Sequence, residues 1–543
     1  MRLSPPALVV FWLIAGACVS STDQTNAETT VALSTAPATT SLPQEQDTII
    51  IGTTEALTNL DSSDAYSRHD WELLANTGKG LLEFGSGIDP APSVAESYEV
   101  SDGGRTYTFH LREGASFGDG TELTAPLYVR HATRLLEISD QAGAALAQPF
   151  VSSVEAVDDD TVVFRLHDAF GFFPAVVAGV AYHPSHPSFP EDAVEPLPAS
   201  PVYGVGAWII SQYEQGEQVV LEPNPFFWGA APQVDRVIVR YFEDVGELRS
   251  SLVDGTVDIA WPIGPEAVLG GDLPAGIVGY PAGGGPIQVL VVNHTLAPTD
   301  SPAVRRAIAA AIDREELVSV VGEGAQPLWS PIPPGLLGAT SPFSGAPDVE
   351  EAQLLLADAG YTQDTPLELT LDYPSDRYGA SEAMAVIASQ LEATGMIAVE
   401  PRATEWDVYA GTLLAGDGYA LALLEWSADY FDPNPHVEPF TLVGGLGTNV
   451  SDPDTGHPTS GLSTPELIGL VEQAAGESSS TVRAELYEQI QSLWASDVVT
   501  IPLWLEAPWI FYWEGRGAGP DEEIFVGPTL LLDYSTLTVS SRS

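Results

Sequence analysis

The chain has 543 residues, long enough for two to four ordinary domains and a sizeable core. Its net charge is −56, from 75 acidic against 19 basic residues, and Lys79 is the one lysine. That balance argues against nucleic acid and against a polybasic membrane-surface role, both of which need clustered Lys and Arg. A single cysteine leaves no intramolecular disulfide framework and no cysteine-based zinc site.

After Met1 and Arg2 comes an apolar run, Ala7 to Ile14, followed by the small residues Ala15, Gly16 and Ala17 and then Cys18. The run is too short to span a bilayer core of about 30 Å and fits the h-region of a secretory signal, which places the signal peptide at residues 1–18. Cys18 directly after small residues resembles a bacterial lipobox, in which the cysteine becomes the lipidated first residue of the mature protein. Position −3 departs from that pattern, with Ala15 in place of the usual leucine. The competing reading is ordinary signal cleavage beside an incidental cysteine. Residues 19–46, rich in Ser, Thr, Ala and Pro, have no apolar period and read as a disordered tether reaching about 30 Å.

The folded body begins at the β-branched run Thr48–Ile51. A helical stretch follows at Trp71–Leu74. In Thr106–Leu111, Tyr107, Phe109 and Leu111 alternate with polar residues, the period of a half-buried strand. Asp119-Gly120 reads as a tight turn, Val129–Ile138 as an amphipathic helix and Val162–Leu166 as a strand. A proline-rich loop spans 184–202. Strands are expected at Gln218–Leu221 and Arg236–Arg240, a helix at Val245–Val253, and a buried strand at Ile287–Val292 after the Gly283–Pro286 break. Helices then fit Pro302–Ala311, Val349–Ala359, Ser381–Thr394, Ser463–Ala475 and Thr481–Asp497. Strands fit Leu367–Leu371, Tyr419–Leu424, Val498–Ile501 and Ala507–Tyr512, which gives α/β organisation.

Several of these stretches, in this order, resemble the family-5 solute-binding proteins of bacterial ABC importers, which bind oligopeptides, dipeptides or nickel. The most specific are Pro92–Tyr98 with Ser101–Arg112, then Phe117–Thr121, Pro201–Trp208 with Leu221–Trp228, Ser301–Ile308 with Ala311–Glu315, Leu354–Tyr361 and Trp426–Pro433. The resemblance implies a two-lobed periplasmic-binding-protein-like α/β fold of type II, in its large form with an extra subdomain in the first lobe. Lobe I is expected from 47–85, 196–285 and 500–543, the inserted subdomain from 86–195, and lobe II from 286–499. Most residues of these stretches read as structural, with Asp102-Gly103 and Asp119-Gly120 as turns and Asp313 as a helix cap.

The sharpest candidate site is Glu425-Trp426-Ser-Ala-Asp429-Tyr430-Phe-Asp432-Pro433, at the carboxyl end of an apolar strand, where ligands of α/β domains lie. The resemblance assigns the position of Asp429 to a peptide's α-ammonium, and a carboxylate enclosed in a cleft is costly unless a cation pairs with it. Trp426 and Tyr430 belong to the same motif. Glu425 stands where the family has a small residue, and it lies either behind the site or in the cleft, where it favours a cationic ligand. The resemblance also puts an arginine for the ligand's carboxylate near Arg377, whose planar fork suits that task. Read as structural instead, Asp429 is a solvated turn aspartate and Arg377 a surface arginine. Trp208, Trp261, Trp329 and Trp406 are candidates for the cleft or the core.

The expected function is capture of short peptides outside the cytoplasm, lobe closure, and delivery to an ABC permease and ATPase complex by a monomeric, lipid-anchored protein. Peptide main chain is expected to pair with cleft backbone as an added strand. No cofactor, metal site or catalytic residue is assigned. The nine histidines are scattered; His183 and His186 have HxxH spacing but lie in a proline-rich loop, and His436 lies near Asp429, which keeps a nickel-chelate binder open. An oligosaccharide binder and a structural surface lipoprotein also stay open. So does a secreted hydrolase, although the sequence lacks HExxH and GxxxxGK[ST] motifs. The acidity reads either as a solvated coat suited to salt or as a field steering cationic peptides.

Overall fold

Thr48–Thr53 forms an inner strand because its β-branched residues suit a pleat covered on both faces. It pairs in parallel with Arg236–Tyr241 on one side and Ile259–Ile263 on the other. The computed structural model showing this describes residues 47–85, 89–138, 142–264, 273–282, 284–415, 418–441, 450–451, 458–459, 464–517 and 531–539. Cys18, the signal segment and the 19–46 tether lie outside the described residues.

The first sheet has seven strands in the order Ile277–Pro281, Trp509–Trp513, Ile259–Ile263, Thr48–Thr53, Arg236–Tyr241, Gln218–Pro223, Trp208–Glu214. The second has six, in the order Gln326–Pro327, Thr500–Leu505, Ile287–Val292, Leu421–Trp426, Leu367–Pro374, Ile397–Thr404. Ile287–Val292 is buried along its whole length. Leu290 and Val292 face helices Pro302–Ala311, Val349–Asp358 and Ala380–Glu392. Ile287, Val289 and Val291 face Asn434–Thr441, Pro465–Gly476 and Ser480–Asp497. One continuous apolar run thus serves two cores, one per face. Asp313 caps helix Arg314–Val321 by accepting from the Glu315 and Glu316 amides, as its position predicts.

A separate four-stranded antiparallel sheet, Ala95–Ser101, Thr106–Leu111, Thr161–Leu166 and Val151–Ala156, is covered by helix Ala125–Glu137. Tyr107, Phe109, Tyr128, Phe164 and Phe173 fill its core. Arg134 on that helix and Asp61, both fully buried, pair at 2.7 Å and tie the unit to the first lobe.

The chain passes between the two large sheets twice, once between Ala282 and Ile287, where 284–286 are described, and once through 506–508. The passes are bonded to each other: the Glu506 amide donates to the Pro286 carbonyl (2.9 Å), the Gly285 amide to Glu506 (3.1 Å) and the Ala282 amide to Pro508 (2.8 Å). A Cβ on Gly285 would sit 2.3 Å from the Glu506 carbonyl oxygen, so glycine is what lets the two backbones touch.

Two boundaries differ from expectation. The return to the first lobe lies at 506–508, not at 500, because Thr500–Leu505 is a central strand of the second sheet. Val498 in the left-handed region (φ 51°) ends helix Ser480–Asp497 and starts the strand later than its apolar residues suggest. The inserted unit also begins before residue 86: Leu82–Glu83 pairs with Ala91–Pro92, and Leu81 and Leu82 belong to its core. No helix among the described residues is long and apolar enough to cross a membrane.

Candidate ligand cleft between the lobes

A cleft of about 1020 Å³ opens where the two passes hold the lobes together. Its floor includes 284–286 and 506–508; Arg68, Trp71 and Lys79 come from the first lobe, and Arg377 with 425–431 from the second. All five sequence-predicted residues, Glu425, Trp426, Asp429, Tyr430 and Arg377, line this one space.

Asp429 lies in the loop after strand Leu421–Trp426, part-buried against the opposite lobe. Its Oδ1 accepts a 2.7 Å hydrogen bond from Tyr66 Oη of the first lobe. Burial pushes its carboxyl up to about 6, and the Tyr66 bond only partly opposes that. It has no ion pair among the described residues. The motif behind it is tied down by buried contacts. Asp432 is buried and takes both oxygens to Arg483 Nη2 at 2.7 and 2.9 Å, and Arg483 lies over the Tyr487 ring. Trp426 Nε1 donates to the Pro435 carbonyl (2.9 Å), and its ring meets Phe440 edge-on. Tyr430 stacks on Phe172 of the inserted unit with centroids 5.4 Å apart. The phenol is thus a contact between units as well as part of the cleft wall, and burial holds it protonated.

Arg377 follows strand Leu367–Pro374, as expected, but it is not free. Its Nη2 contacts the Glu425 carboxylate and donates to Glu506 Oε1 at 2.6 Å. Gln288 Nε2 bridges the same two glutamates at 3.2 and 3.1 Å. Burial disfavours the charge on Arg377, and the two carboxylates more than restore it. Burial in turn raises Glu506, against the pull of Arg377. Glu425 therefore faces the cleft, and two carboxylates share the guanidinium there.

Sequence reasoning missed Tyr66, Glu506, Gln288 and the pairs Arg68–Glu55 and Lys79–Glu83. Glu506 had a usable signal, since it follows the apolar strand Thr500–Leu505 as Asp429 follows Leu421–Trp426. The others had none. Trp208 and Trp261 are core, with Trp261 Nε1 bonded to buried Glu72. Trp329 lies under Arg314 and Trp406 beside Tyr409, both away from the cleft lining. His436 does line the cleft; burial lowers it to about 3, so it is neutral, and its Nδ1 has no partner among the described residues. His183 is likewise held neutral, and His186 pairs with Asp119. No group of three or more His, Cys, Asp or Glu among the described residues is placed to hold a metal.

Comparison with known proteins agrees with this geometry. The periplasmic oligopeptide-binding protein OppA of Salmonella typhimurium is 28% identical over 495 residues, covering 82% of this chain and 86% of OppA. The probable D,D-dipeptide-binding periplasmic protein DdpA of Escherichia coli is 26% identical over 475 residues, covering 84% of this chain and 88% of DdpA. The Helicobacter pylori periplasmic binding protein DppA, solved with the peptide STSA, shares the fold with a TM-score of 0.67 at 20% identity, covering 91% of this chain and 98% of that one. The model for bacterial extracellular solute-binding proteins, family 5 middle region, matches residues 89–447. With its two lobes joined by paired passes and an acid-lined cleft between them, the chain belongs to family 5 of the bacterial extracellular solute-binding proteins.

Proposed function

We propose that the protein captures short peptides in this cleft, holds the α-ammonium at Asp429, and delivers the closed complex to an ABC permease and its ATPase. The observation that carries this reading is the Asp429 carboxylate, lining the cleft without a cation. A carboxylate in that position costs free energy until a cation arrives, and a charge-assisted hydrogen bond to an ammonium then offsets the cost. The relatives named for oligopeptides and dipeptides support the same ligand class. Binding proceeds without turnover, with no metal or cofactor. The protein acts as a monomer anchored through lipidated Cys18, with 19–46 as its tether. Arg377 acts by holding Glu425 and Glu506 in place, and meets a ligand carboxylate only by exchanging one of them.

Native mass spectrometry of the purified, unrefolded protein tests this. The expected spectrum holds the chain plus one mass in the range of a short peptide, released by mild activation. A co-purified sugar, a metal chelate or a hydrolysed peptide product overturns the reading.

A further inference from the structure

The charge balance of the cleft extends the peptide reading, on which it rests, to the kind of peptide taken. Among the described residues three cations line the cleft: Arg68, Lys79 and Arg377. Each is already answered. Arg68 contacts Glu55 and stands 3.6 Å from Glu72, Lys79 pairs with Glu83 at 2.7 Å, and Arg377 is held between Glu425 and Glu506. Three more acids, Glu323, Asp429 and Asp533, line the same space with no ion pair among the described residues. Eight carboxylates in and behind the wall therefore face three cations. The two cleft histidines add nothing positive, since burial keeps His183 and His436 neutral.

We propose that the cleft selects cationic peptides, those carrying a lysine or arginine side chain besides the α-ammonium. The second cation settles beside the Arg377 cluster, where Glu425 and Glu506 leave one negative charge over. Gln288 fixes that excess from below, because it spends its amide donors on both glutamates. A ligand carboxylate placed there finds a guanidinium already shared by two acids. It must displace one of them or lie against their charge. Protein walls on both sides keep the field from being screened as it is on an open surface.

Calorimetry tests the proposal with matched peptides of three and five residues whose middle residue is lysine, alanine or glutamate. The lysine peptides are expected to bind about tenfold tighter than the alanine peptides, and the glutamate peptides to bind weakest. Glu425→Gln should shrink the lysine-to-glutamate ratio about fivefold or more, whereas about 0.5 M salt relative to about 0.05 M should shrink it by less, because the enclosing walls limit screening. Glu506→Gln makes the same comparison if the first variant fails to fold by its melting curve. Equal affinities across the series, or a preference for glutamate, overturn the charge selection and leave peptide capture standing. Failure of every peptide to bind overturns peptide capture and this proposal with it.

Discussion

Replacing Asp429 by asparagine separates a ligand-receiving carboxylate from a structural one, because the two roles move stability in opposite directions. Burial raises this carboxyl from an ordinary 3.8 to about 6. Each pKa unit is worth about 1.4 kcal/mol, so ionising Asp429 in the empty cleft costs up to about 3 kcal/mol, which water in the cleft reduces to about 1–2 kcal/mol. The folded pKa lies above the unfolded one. The stability associated with this group is therefore fully present below about pH 4 and is lost as pH rises through 6. Asparagine carries no charge and still offers an oxygen to Tyr66 Oη, whose bond to Asp429 measures 2.7 Å. Urea melts at pH 7.5 should show the Asp429→Asn variant more stable than the parent by about 1–2 kcal/mol, with the gain fading towards pH 5. Peptide binding should be lost in the same variant. A variant that is less stable at both pH values, or one that binds peptide normally, refutes the assignment.

Peptide affinity measured by calorimetry should fall by about tenfold per pH unit below 6, because the ammonium needs an ionised Asp429. Tyr66→Phe removes a hydrogen bond that favours the ionised form, so the midpoint of that profile should move to higher pH; an unchanged midpoint contradicts the Tyr66–Asp429 link. Arg483→Met leaves Asp432 buried without its partner and should cost about 3–5 kcal/mol in chemical denaturation. Gly285→Val forces a side chain against the Glu506 carbonyl at the paired passes, and should lower the melting temperature even though it touches neither core.

Much of the fold is legible because local pattern and tertiary environment agree. Tyr107, Phe109 and Leu111 alternate in a strand with one buried face, and the unbroken apolar run 287–292 is the strand that serves two cores. The helix at Pro302–Ala311 carries its own start signal, a proline in the first turn. The start of the strand after residue 498 is not legible, because apolar residues alone do not reveal that Val498 takes a left-handed conformation. In the site, Asp429 is legible from the strand before it and the motif around it. The state of Arg377 is not. Its partners come from positions 425 and 506, which sheet register brings together: Ile287–Val292 lies between Leu421–Trp426 and Thr500–Leu505, with Gln288 opposite Glu425. Tyr66 is out of reach for the same reason, since 363 residues separate it from Asp429 and only the apposition of the lobes joins them.

Calorimetry with a single peptide, offered once with a free amino end and once acetylated, asks whether Asp429 receives an ammonium. The free peptide should bind with one-to-one stoichiometry. Acetylation should weaken binding by about 100-fold or more, since it removes the cation and leaves the carboxylate buried and unpaired. Equal affinity for the two forms would contradict capture through the α-ammonium.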